Sequence, residues 1–223
     1  ARVLVNPAQS NLVPSDEASK TISTIARESV TLLSPGLRDL PSAISAPPNR
    51  DESVVFITDD RMIQECARCE PYPAIAKTAL RDLSISLFGP SVTNQIDPDR
   101  AYAFSMNDLV DYNLLSAQAL SNTLATAAPG ATATSSTPPT PAPPTEIALR
   151  MRDAISSANW IVFGVLDLNN GLASSQAFRQ FLANQADSFK DKRVVVFAFG
   201  APYYLDATEV SKVTAYFGVY SRA

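Results

Sequence analysis

Histidine is missing from all 223 residues. That one absence removes Ser-His-Asp and Cys-His catalysis, imidazole general bases and histidine-ligated zinc. Glycine is scarce, at seven. No G-x-G-x-x-G follows a strand-like segment and no G-x-x-x-x-G-K-[ST] occurs, so the glycine-rich cradles that bind nucleotide phosphates are missing too. There is no G-x-S-x-G elbow either, and no histidine to activate a serine within one. Basic residues do not cluster. The formal net charge is -4 and the sequence pI is about 4.9, so no positive field is available to neutralise a nucleic-acid backbone. No apolar run approaches the roughly 18 to 20 residues that cross a bilayer, and the opening "ARVLVNPAQS" lacks the apolar segment of a signal peptide. A soluble chain is expected, with no nucleic-acid partner and no membrane span, and its compartment is left open between cytoplasmic and secreted.

The two cysteines, Cys66 and Cys69, form one C-x-x-C in "QECARCEP". That spacing suits a redox pair, half a metal site or a local disulfide. A structural zinc site takes about four ligands and nothing else here supplies sulfur or imidazole, so no metal is expected and a local disulfide or two structural thiols is the reading. No cofactor is indicated.

What the chain does contain is an apolar fraction of 46%, enough for a sizeable core. Residues 16–34 read as one amphipathic helix, with Asp16 and Glu17 in its first turn, Ile22, Ile25, Ala26, Val30 and Leu33 on one face, and Ser34, Pro35 and Gly36 as its stop. "SVVFIT", Ser53 to Thr58, is a β-branched apolar run of the kind buried on both faces of a sheet. Ala74 to Phe88 suits a helix. "AYAF" from Ala101 predicts a strand, and Ser105 with Asp108 has capping-box spacing for the helix that follows. Thr145 can cap a helix bearing Ile147, Met151, Ala154 and Ile155. "WIVFGVL" from Trp160, "RVVVFAFG" from Arg193 and "KVTAYFGVYS" from Lys212 read as strands, with a helix carrying Ala177, Phe178, Phe181 and Leu182 between the first two.

This alternation predicts an α/β fold: a three-layer α/β/α sandwich, flavodoxin- or Rossmann-like, with a mostly parallel sheet and ligands beyond the carboxyl ends of its strands. Residues 125–145 are rich in Ala, Thr, Ser and Pro and lack charge, a composition that cannot offset its ordering entropy by burial. They read as a flexible, disordered insert within a single 1–223 domain, because the strands on either side look like parts of one sheet. Two small domains flanking the insert are the alternative.

The loops after strands offer carboxylates: Asp59 and Asp60 in "ITDDR", Asp167 in "VLDLN", and Asp206 with Glu209 in "YYLDATE". Two carboxylates about 5 to 9 Å apart can break a glycosidic bond. Each also has a structural use, as a helix cap for Asp59, Asp60 or Asp206 and as a turn former for Asp167.

Two segments carry a family resemblance. "IARESVTLLS", Ile25 to Ser34, resembles the helix that opens the C-terminal domain of family 3 glycoside hydrolases, with its alanine-arginine-x-serine run. "KRVVVFAFGAPYYL", Lys192 to Leu205, resembles a later strand of that domain with its glycine-x-proline turn. Their order and separation fit, and the resemblance covers most of the chain outside the insert. It implies a parent enzyme whose N-terminal (β/α)8 barrel carries an aspartate nucleophile in a retaining mechanism, with that barrel as the partner of this domain and a β-N-acetylhexosaminide or β-glucoside as the carbohydrate substrate. In the β-glucosidase branch the C-terminal domain can supply the acid/base glutamate after a glycine-glutamate strand end. The matching strand here, "IVFGVLDLNNG", offers Asp167 and no glutamate, so no catalytic residue is expected in this chain. In the N-acetylglucosaminidase branch the acid/base lies on the barrel, which agrees. Asp59, Asp60, Asp167 and Asp206 are then candidate contacts to sugar hydroxyls, with Tyr203 and Tyr204 to pack on a sugar face. The competing expectation is a free-standing flavodoxin-like binding or assembly module that recruits a partner through the C-x-x-C or the proline-rich insert.

Overall fold

The structure, a computed structural model, describes residues 15–126, 145–169, 171–184, 189, 191–200, 202–203 and 205–219. The expected flexible insert lies almost wholly outside those residues.

Ser15 caps the first helix, α1 (Asp16–Glu28), by accepting from the Ala18 N–H at 3.2 Å. The helix ends sooner than the apolar periodicity suggests. The Ser29 N–H closes its last turn on the Ile25 carbonyl, and Val30–Ser34 form a strand, β1. The expectation of one helix over residues 16–34 is therefore corrected. Val30 and Thr31 are β-branched and favour extended backbone, and β1 pairs antiparallel with a strand from the far end of the chain, Leu32 opposite Phe217. A short helix, α2 (Leu40–Ala43), precedes β2 (Val54–Thr58).

A two-residue ribbon follows, β3 (Met62–Ile63) against β4 (Tyr72–Pro73). Its pairing continues into an Ala74 N–H donated to the Arg61 carbonyl at 2.9 Å. That bond holds Ala74 out of a helix, so α3 runs Ala79–Phe88 rather than from Ala74 as expected. Then come β5 (Ala101–Ser105), α4 (Met106–Thr126), α5 (Glu146–Ser157), β6 (Trp160–Val165), α6 (Ala173–Asn184), β7 (Arg193–Ala198), α7 (Ala207–Val210) and β8 (Ala215–Val219). The caps fall where the side chains indicate. Ser105 and Asp108 exchange reciprocal bonds at 2.7 and 3.0 Å, and Thr145 accepts from the Ala148 N–H at 3.2 Å.

The fold is α/β, with helices on a mostly parallel sheet of six strands in the order β1-β8-β7-β6-β2-β5. Only β1 runs antiparallel to its neighbour. The five parallel strands, taken by themselves, follow the 2-1-3-4-5 order of flavodoxin-like sheets. Strands from both sides of residues 127–144 lie in this one sheet.

The two faces are covered unequally. Val55, Ile57, Ile161, Phe163, Val194 and Val196 point toward α4, α5 and α6, where Phe163 meets the ring of Phe178 edge-on at 4.7 Å. Val54, Phe56, Trp160 and Val195 face the other way, toward Leu80 and Ile85 of α3 and Leu40 of α2. This thinner cover leaves a cleft of about 300 Å³ whose lining includes Phe56, Phe88, Trp160, Phe197 and Phe217.

Candidate functional site

The chain leaves β2 for α3 on the second face and leaves β6 for α6 on the first. Between two neighbouring parallel strands whose connections part in this way, the carboxyl ends open a crevice, the usual ligand position in such sheets. Three of the sequence candidates stand there: Asp59 and Asp60 follow β2, and Asp167 follows β6.

Arg61 joins the two sides. Its Nε donates to Asp59 Oδ1 at 2.9 Å, one Nη reaches Asp59 Oδ2, the other reaches Asp167 Oδ1, and the Asp167 carbonyl accepts at 2.8 Å. Asp59 is further fixed by the sheet. Its N–H donates to the Gly164 carbonyl at 2.8 Å, and its Oδ2 accepts from the Leu166 N–H at 3.3 Å. The Asp59 side chain is 1% exposed while that of Asp167 is 41% exposed, so the bridge runs from the core to the rim. Burial opposes the charge on Arg61, yet the bonds and charges of Asp59 and Asp167 outweigh it and hold the guanidinium pKa above its ordinary value. Sequence reasoning passed over Arg61. Its only signal was a cation two positions after Asp59, and the contact to Asp167 spans 106 positions.

Asp60 turns toward a second group. Burial pushes its pKa up, its own backbone N–H draws it down, the charges of Asp108 and Asp59 push up, and Lys77 offsets part of this. Lys77, also missed in the sequence, is paired with Asp108 Oδ2 at 2.6 Å. Among the described residues nothing hydrogen-bonds Asp60 Oδ1 or the buried Thr58 Oγ1.

The remaining candidates stand apart from this bridge. Asp206 accepts from the Glu209 N–H at 2.8 Å and Glu209 returns a bond to the Asp206 N–H at 2.9 Å, a capping box that starts α7. Glu209 also pairs with Arg179 of α6 at 2.5 Å. Tyr203 is 80% exposed. Tyr204 lies outside the described residues. Cys66 and Cys69 are joined in a disulfide in the exposed loop between β3 and β4.

No protein-family model matches the chain, and no curated protein does.

Glycosidic cleavage by carboxylates needs one free to attack the sugar or activate water and a second carrying a proton. Asp59 and Asp167 share one guanidinium and act as acceptors that shape the crevice. Burial gives Asp60 surroundings that favour a proton. Among the described residues no group of three or more His, Cys, Asp or Glu is placed to hold a metal ion, and no helix is long and apolar enough to cross a membrane.

Proposed function

We propose that this chain is a non-catalytic accessory domain of a family 3 glycoside hydrolase. It packs on the (β/α)8 barrel of its parent and forms part of the wall of the cleft in which a β-N-acetylhexosaminide or β-glucoside loses its O-glycosyl bond. The observation that carries this reading is the Arg61 bridge, which ties up Asp59 and Asp167 and leaves the crevice polar but without a free carboxylate pair. A wall that positions sugar hydroxyls needs a fixed polar group at its rim, which Asp167 held by Arg61 supplies while the buried Asp59 anchors the arginine from behind; a hydrolytic centre needs mobile protons.

The two motifs of the resemblance fare differently. "KRVVVFAFGAPYYL" includes β7, a central strand of the sheet, whereas "IARESVTLLS" runs from the last turn of α1 into β1 and so departs from the single helix that the resemblance implies. The thinly covered second face also gives a neighbouring domain apolar surface to bury. The same cleft is what favours the second reading, a free-standing flavodoxin-like assembly module.

Two observations separate the readings. A reading frame upstream of Ala1 that encodes a barrel with a lysine-histidine-phenylalanine-proline-glycine type motif supports the accessory domain, and a natural start at Ala1 supports the module. Titration of the isolated chain with a chitobiose-type disaccharide is expected to give weak binding or none. Saturable micromolar binding would overturn the accessory role, because the site would then be complete without the barrel.

A further inference from the structure

We propose that Cys66–Cys69 is a site of reversible thiol–disulfide exchange with a dithiol reductant, and that its oxidation state sets how firmly the β3–β4 ribbon holds Arg61 in the crevice. The disulfide is poorly placed to stabilise the fold as a whole. It spans three positions, and the chain entropy that a cross-link withholds from the unfolded state shrinks with the loop it closes. Neither cysteine belongs to either apolar cluster, and residues 64–73 are exposed throughout. Exchange requires an attacking thiolate to reach a sulfur, which an exposed C-x-x-C loop permits.

From the disulfide a continuous series of bonds leads to the crevice. The Cys69 N–H donates to the Cys66 carbonyl at 3.0 Å, and the Cys69 carbonyl accepts from Gln64 Nε2 at 2.8 Å. Gln64 follows directly on β3, where Ile63 pairs with Tyr72 and Met62 with Pro73. The Ala74 N–H then holds the Arg61 carbonyl at 2.9 Å. Two paired positions are too few to stand alone in water. The closed loop at the far end keeps the ribbon in register, and the ribbon in turn holds the backbone of the residue that joins Asp59 to Asp167. Opening the disulfide leaves the sheet intact and loosens Arg61.

The reaction is a two-electron exchange. A thiolate of the dithiol attacks one sulfur of Cys66–Cys69, forming a mixed disulfide and releasing the other cysteine as a thiolate that takes up a proton. The second thiol of the reductant then displaces the remaining cysteine sulfur and departs as a cyclic disulfide. Two electrons and two protons have passed to Cys66 and Cys69.

The test treats the native chain with dithiothreitol, labels it with iodoacetamide without denaturant, and follows amide hydrogen exchange by mass spectrometry. Both cysteines are expected to label while the far-ultraviolet circular dichroism is unchanged. Exchange across residues 61–74 should rise about tenfold, as for a locally opened unit, while β2 stays protected. The double variant Cys66→Ser, Cys69→Ser should show the same raised exchange without reductant. Labelling that requires denaturant would overturn the proposal, and so would equal exchange over residues 61–74 in the oxidised and reduced chains.

Discussion

Arg61 reaches from the loop after β2 to Asp167 in the loop after β6, and the same guanidinium holds the buried Asp59 on its other side. Because one acceptor is buried and the other lies at the rim, the two halves of the bridge differ in energetic weight. Arg61→Ala strands Asp59 at the carboxyl end of β2 with two long backbone bonds, from the N–H groups of residue 61 and Leu166, as its remaining side-chain partners, and should cost about 2–4 kcal/mol. Asp167→Asn removes a charge already in water and should cost less than about 1 kcal/mol. Urea unfolding midpoints of the two variants distinguish the cases, and equal losses would mean the bridge is not polarised in this way.

Gly164 lies beneath α3. A β-carbon there would sit 2.5 Å from Leu80 Cδ1 and 3.2 Å from the Phe199 ring. Leu80 is the movable member, so Gly164→Ala should destabilise by about 1–3 kcal/mol through overpacking, and adding Leu80→Ala should recover part of that loss. At Gly200 the obstruction is the Leu166 carbonyl at 2.4 Å, which belongs to the backbone beside Asp167. Gly200→Ala should therefore be the more damaging of the two, with no single side-chain rescue. Thermal melts of the three variants test the ordering.

Two carboxylates give opposite pH signatures. Asp60 has a native pKa raised above the ordinary 3.8, chiefly by burial. Its contribution to stability is complete below the unfolded value and is lost as pH rises through the native one. Asp60→Asn should raise the thermal midpoint at neutral pH, with the gain shrinking as the solution is acidified toward the unfolded value. Glu52 behaves the other way. Burial pushes it up, but bonds from the Trp160 indole and the Asn49 N–H, with the Arg193 charge, bring the net pKa below the ordinary 4.5. Its stability is present above that value and is lost as pH falls through the lowered native pKa. Glu52→Gln should lower the midpoint at neutral pH and converge on the unaltered chain in acid.

Unequal cover of the sheet predicts unequal tolerance to truncation. Phe181 is fully buried among Tyr112, Phe163 and Phe189, and Phe181→Ala should cost about 3–5 kcal/mol. Phe197 stacks on Phe217 at 5.1 Å beside the open cleft. Phe197→Ala removes a ring that is already partly solvated and should cost about 1–2 kcal/mol. Denaturant unfolding of both variants measures the difference.

Much of the sheet was readable because its central strands are buried on both faces. Val54–Thr58, Trp160–Val165 and Arg193–Ala198 stand out as continuous apolar runs bounded by polar turns. Caps at Ser105, Thr145 and Asp206 were equally legible, since each is a bond between residues three apart. Val30–Ser34 was not, because Ile22, Ile25, Val30 and Leu33 continue a helical period across the true boundary, and the pairing that makes this segment a strand comes from β8. Arg61 and Lys77 escaped for the same reason. Their partners Asp167 and Asp108 are distant in sequence, and only the strand order brings them together.

The measurement that bears most directly on the central claim is hydrolysis of para-nitrophenyl N-acetyl-β-glucosaminide and para-nitrophenyl β-glucoside, by this chain alone and by the product of its full reading frame. The account predicts that the full reading frame encodes a barrel and that turnover requires it, with the preferred glycoside naming the sugar. Turnover by the isolated chain would contradict it, and would mean that Asp60 or its neighbours form a working hydrolytic centre without a barrel.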